Sequence, residues 1–65
     1  MHHHAITLDL AADIIADLTD AEERCDGNFY VVTGWHPDLG QVTVIEGAEF
    51  ALLLCELPLP EIEAK

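Results

Sequence analysis

Residues 8–24, LDLAADIIADLTDAEER, decide how the rest of the chain is read. Six of these seventeen residues are acidic, and Arg24, the last, is the one base. At about 100° per residue, Leu10, Ile14, Leu18, Ala21 and Cys25 fall on one side of a helix, widened by Ala11 and Ile15. Asp13, Asp17, Asp20 and Glu23 fall on the opposite side. The spacing therefore predicts an amphipathic helix from Leu10 to about Arg24, with Asp9 as its N-cap. Thr19-Asp20-Ala21-Glu22 also spells a capping box, so the helix could break at Thr19 and restart. Asp26-Gly27-Asn28 ends it in either case, because Gly and Asn accept the left-handed conformation.

The predicted helix would carry a row of carboxylates with little to neutralise it. Successive i, i+4 carboxylates lie about 6 Å apart along the axis, and each pair costs about 0.7 kcal/mol in water before screening. Only Asp20–Arg24 forms an opposite-sign i, i+4 pair. Asp20, Glu22 and Glu23 would also sit at the negative end of the helix dipole. An ordinary solvated helix face intersperses Lys, and this one has none. The alternative to a merely solvated face is an array of carboxylates standing in for phosphates, since DNA carries one charge per about 3.4 Å on each strand.

The whole composition agrees with the row. The chain has 65 residues, 13 acids and 2 bases, for a formal charge of −11. A magnitude of about 2–8 is ordinary for a small domain. Such a field repels nucleic acid and anionic membranes and attracts basic surfaces. The length allows one domain, which buries only about 60% of the open chain's surface. Hydrophobic residues make up 51% of the chain, so it should fold.

Flanking segments complete the expected organisation. Residues 1–4 read as a flexible polar lead and Ala5–Leu8 as a short strand. Phe29–Trp35, with Gly34 as a bulge, and Gln41–Glu46 form an antiparallel hairpin across the turn Pro37-Asp38-Leu39-Gly40. Ala48–Leu57 suits either a short second helix or a further strand, with composition tilting toward helix. Pro58 stops that element, and residues 58–65 read as an extended tail. The expected fold class is α+β: one amphipathic helix packed on a small antiparallel sheet, with a second short helix or third or fourth strand at Ala48–Leu57.

Few residues suggest chemistry. Cys25 and Cys55 read as buried free thiols of a reducing cytoplasm, since one pair is too sparse for a disulfide scaffold. No apolar run reaches membrane-spanning length, and no signal-peptide pattern is expected. A terminal amine with His3 could chelate Cu(II) or Ni(II), but a flexible terminus or the remnant of an affinity tag is the plainer reading, and no metal or cofactor is expected. His36, at the hairpin tip, reads as solvated. Cys25, Cys55 and a His lack zinc-ligand spacing. Tyr30 and Trp35 should lie on opposite strand faces, one in the core and the other free to anchor an interface. The chain has no Ser and no Gly-rich phosphate loop. Its carboxylates have no cavity to shift a pKa, so an enzyme is not expected.

The acidic stretch Asp9–Glu23, the hairpin NFYVVTGWHPDLGQVTVIEG and the scarcity of Lys and Arg together resemble phage-encoded anti-CRISPR proteins of the small acidic DNA-mimic kind, including type I-C inhibitors. The resemblance implies a cytoplasmic, monomeric inhibitor that blocks the DNA-binding surface of a Cascade-type surveillance complex at the subunit recognising the target's flanking motif. The residues expected to meet the partner are Asp13, Asp17, Asp20, Glu22 and Glu23, extended by Asp38 and Glu46. An acidic adaptor or antitoxin for some other basic partner would use the same charge.

Overall fold

The computed structural model describes residues 2–57; the expected tail at 58–65 lies outside them. The elements are β1 (His2–Ile6), α1 (Leu8–Ala16), β2 (Thr19–Asp26), β3 (Phe29–His36), β4 (Gly40–Glu46) and β5 (Ala51–Cys55). The five strands form one antiparallel sheet in the order β1-β5-β4-β3-β2. Strands β2 to β5 are a meander. Strand β1 pairs with β5 at the far edge, and α1 carries the chain back across β5 and β4 to the β2 edge. The molecule is thus α+β with strand dominating.

Directly paired residues share a sheet face, so the register separates the two faces. The covered face holds Ile6, Ala51, Leu53, Cys55, Val42, Val44 and Val32. Ala11 and Ile14 of α1 close over it, with Leu39 from the β3–β4 turn, and Leu53 and Val44 are fully buried. Among the described residues no helix lies over the opposite face. Phe29, Trp35 and Leu52 point from it and are 52%, 53% and 43% exposed, with Phe50 beside them at 55%.

The helix differs from its prediction at both ends. Its N-cap is Thr7, whose Oγ1 accepts from the Leu10 amide at 3.1 Å. Asp9 falls instead in the first turn, where its charge suits the dipole. The helix stops at Ala16: the amides of Asp17 and Leu18 donate to the carbonyls of Ile14 and Ile15, tightening the last turn. Residues predicted to continue it form β2 instead. Helix propensity in Ala-Glu-Glu-Arg is worth only tenths of a kcal/mol per residue. Beyond Leu18 the helical apolar face would hold only Ala21 and Cys25. Pairing with β3 satisfies a row of backbone groups on β3 that a longer helix would leave open. Asp26-Gly27-Asn28 accordingly does not end a helix but turns a hairpin, with Asp26 opposite Phe29 and Gly27 at φ 65. Positive φ at the first loop residue alone is the type II′ pattern.

Two further expectations change. Residues 2–4 are not a flexible lead: they belong to β1, with His2 opposite Cys55 and His4 opposite Leu53. The tilt toward helix at Ala48–Leu57 is also overturned, because Ala51, Leu53 and Cys55 alternate inward against Leu52 and Leu54 outward. The Phe29–Trp35 and Gln41–Glu46 hairpin is observed, extended to His36 and Gly40. The bulge assigned to Gly34 lies across from it in β2. Between Thr19 and Glu22 that strand advances three residues while β3 advances two, from Trp35 to Thr33.

Candidate acidic interaction surface

The acidic row does not exist as one helical stripe. Asp13 lies on α1, Asp17 caps its C-terminus, Asp20 sits in the β2 irregularity, and Glu22 and Glu23 lie in β2. Consecutive strand residues point to opposite faces, so Glu22 shares the open face with Thr33, and Glu23 shares the covered face with Val32.

What replaces the row is a gathering of carboxylates around the end of β3. His36, expected to be solvated, is buried: its Nδ1 accepts from the Asp38 amide at 3.1 Å, and its Nε2 lies 3.8 Å from Asp17 Oδ2. One imidazole thereby ties the C-terminus of α1 to the β3–β4 turn. Next to it, Trp35 forms an open cleft with Thr19, Asp20, Glu22, Thr33, Gly34 and Gln41, about 270 Å³ in volume. That falls below the roughly 300–1,000 Å³ of ordinary ligand pockets, so the cleft suits a protruding side chain better than a whole small molecule. Thr19 Oγ1 donates to the Trp35 carbonyl at 3.4 Å, fixing the strand end. Asp20 adopts φ 54, a left-handed conformation that Asp tolerates better than most residues.

Glu23 and Glu46 belong to a different place. Both flank Tyr30, which pairs across the sheet with Glu46 and Cys25. A hydrogen bond to Glu23, then desolvation and the neighbouring negative charges, hold the Tyr30 hydroxyl above its ordinary 10.0. Tyr30 and His36 are six positions apart on β3, about 20 Å at ~3.3 Å per residue. Asp20 and Glu22 therefore line the Trp35 cleft on the open face, Asp17 and the Asp38 amide meet His36 on the covered side of the same strand end, Glu23 and Glu46 gather at the opposite end of β3, and Asp13 stands apart.

Trp35 points outward, while Tyr30 is half-buried at the margin of the other face; neither is in the core, which is aliphatic. Of the free thiols, Cys25 is exposed, contrary to expectation, and Cys55 is buried. Burial pushes the Cys55 thiol up. Sequence reasoning missed the His36 link, since histidine before proline in a turn signals no burial. It also missed β2, for which Gly27-Asn28 was the available signal: a Gly-Asn pair is a two-residue hairpin loop. Among the described residues, no helix is long and apolar enough to cross a membrane. Comparison with protein-family models, curated proteins and solved structures finds no match to this chain.

Proposed function

We propose that this chain is an acidic interaction module whose target is the basic, nucleic-acid-binding surface of another protein. One observation carries the reading: the Trp35 cleft is flanked by Asp20 and Glu22 on an edge strand whose residues are all exposed. A lysine or arginine side chain entering there meets an indole face and two carboxylates, and cation–π attraction adds to charge-assisted hydrogen bonding. Asp17 and Asp38, at the same end of β3 but on the His36 side of the sheet, add to the long-range negative field without lining the cleft. Trp35 gives the surface an aromatic centre with a charged rim, as hot spots require. Arg24 is the only base among the described residues, so little internal charge competes with the partner.

The mode of action proposed is competition with DNA, and the partner class nominated by the resemblance is a Cascade-type CRISPR–Cas effector. The test measures target-DNA binding by such a purified effector with increasing amounts of this chain. DNA should be displaced, and the displacement should weaken as salt rises. The double reversal Asp20→Lys/Glu22→Lys should weaken displacement about 100-fold, at roughly 1.5 kcal/mol for each lost charge-assisted bond. DNA that stays bound while the effector is saturated with this chain would remove competition as the mechanism. Unchanged displacement by the double variant would remove the Trp35 cleft.

A further inference from the structure

We propose that His2 and His4 form a chelating pair for a borderline divalent cation of the Cu(II), Ni(II) or Zn(II) class. The argument is independent of the acidic surface. Both histidines lie in β1 two residues apart, so they point to one face, the side shared with Leu53 and Cys55. His3 points to the other face, with Leu54. The two imidazoles are stacked, with ring centroids 6.5 Å apart and planes 10° from parallel. His4 Nε2 is buried and has no hydrogen-bond partner among the described residues. A buried ring nitrogen without a partner costs stability, and a metal bond would relieve that cost.

Chelation needs the rings to turn, because a coordinating nitrogen's lone pair lies in its ring plane and the two planes run almost parallel. Metal–imidazole bonds of about 2.0–2.1 Å put two tetrahedral nitrogen ligands about 3.3 Å apart. Rotation of the imidazoles about their side-chain torsions brings the in-plane lone pairs together, a side-chain motion on an edge strand. Two imidazoles with water in the remaining positions match cations that favour nitrogen, and disfavour Mg(II) and Ca(II), which take oxygen. Among the described residues no three His, Cys, Asp or Glu side chains are grouped to hold a metal. The Cys55 thiol, buried and opposite His2, is engaged with the Leu57 carbonyl at 3.0 Å. The pair is therefore bidentate.

A strand pair and an unstructured terminus make opposite demands on His3. A terminal amine–X–His chelate requires His3, whereas the strand pair does not use it. The experiment titrates the folded chain with Cu(II) alone and with Zn(II) alone, following heat and, for Cu(II), the visible absorption band. His2→Asn and His4→Asn should each weaken binding on the order of 100-fold, because one member of a linked pair loses the intramolecular advantage. His3→Asn should leave it within about twofold. Zn(II) should also raise the unfolding temperature of the parent chain and of His3→Asn, and not that of the other two. Circular dichroism of each apo variant establishes that β1 still forms. If a variant loses the fold, Ala in place of Leu54, on the other face, checks whether loosening β1 alone removes binding. Loss of binding on His3→Asn, equal loss from all three variants, or binding that survives in denaturant assigns the affinity to an unstructured terminus and overturns the proposal.

Discussion

Strands β5 and β2 belong to one sheet and differ in almost everything else. Strand β5 lies between β1 and β4, with Ala51, Leu53 and Cys55 sealed beneath α1. Strand β2 lies at an edge and has eight exposed residues, four of them acidic. The first is held by burial and the second by backbone pairing. An edge built this way repels other strands through its charge, and its side chains are free to serve recognition because none is needed in the core. The sharpest way to break this contrast is to truncate one residue in each strand. Leu53→Ala should cost about 2–5 kcal/mol. A 65-residue chain has roughly 3–10 kcal/mol to lose, so the urea midpoint should fall by a large fraction of its parent value. Glu22→Ala should fall within about ±0.5 kcal/mol. Comparable losses from the two would mean that β2 shares the load of the core.

A smaller effect tests how β2 is attached. Gly34 sits beneath the β2 irregularity, and a Cβ there would lie 3.2 Å from Leu18 Cβ, from Leu18 Cδ1 and from Ala21 Cα. The methyl of Leu18 can rotate away, but the Ala21 backbone cannot without shifting the strand. Gly34→Ala should cost about 1–2 kcal/mol and lower amide-exchange protection across β2 before β4. Asp20→Val, at φ 54, should cost a similar 1–2 kcal/mol, while Asp20→Gly should cost nothing. If Gly34→Ala unfolds β4 and β2 together, the two regions form one cooperative unit and the contrast is structural only.

The same contrast governs what could be read in advance. The β3–β4 hairpin was legible because Val31–Val32 and Val42–Val44 bring β-branched residues together around turn chemistry. The core of α1 was legible because Ala11 and Ile14 keep helical spacing. Strand β2 was not, because its fold is set by β3 and not by its own residues: Asp13, Asp17 and Asp20 fit a helical row by spacing alone, and an edge strand needs no apolar alternation to correct that impression. His2–His4 were misread for a related reason, since polar residues at an edge look like a loose terminus until Leu53 and Cys55 supply a partner. For the candidate site, the residue types were legible and their grouping was not. Asp17 and Asp38 meet only through His36, across 21 residues of chain.

The smallest expected effect lies where the two regions touch. Tyr30 belongs to β3, which is packed between β4 and β2, yet its hydroxyl is controlled by Glu23 of the edge. Its folded-state pKa is raised above the ordinary 10.0, chiefly by the hydrogen bond to Glu23. The stabilisation this bond supplies is fully present below the unfolded value and is lost as pH rises through the higher folded value. Tyr30 is the only tyrosine, so tyrosinate absorbance reports it alone. Glu23→Gln removes the charged acceptor and should move the titration down toward 10.0, whereas Glu46→Gln, a weaker Coulombic neighbour, should move it less. Superimposable curves for the parent and Glu23→Gln would mean that Glu23 points into solvent. It would then be available to a partner alongside Glu22, and the edge would present both its faces instead of one.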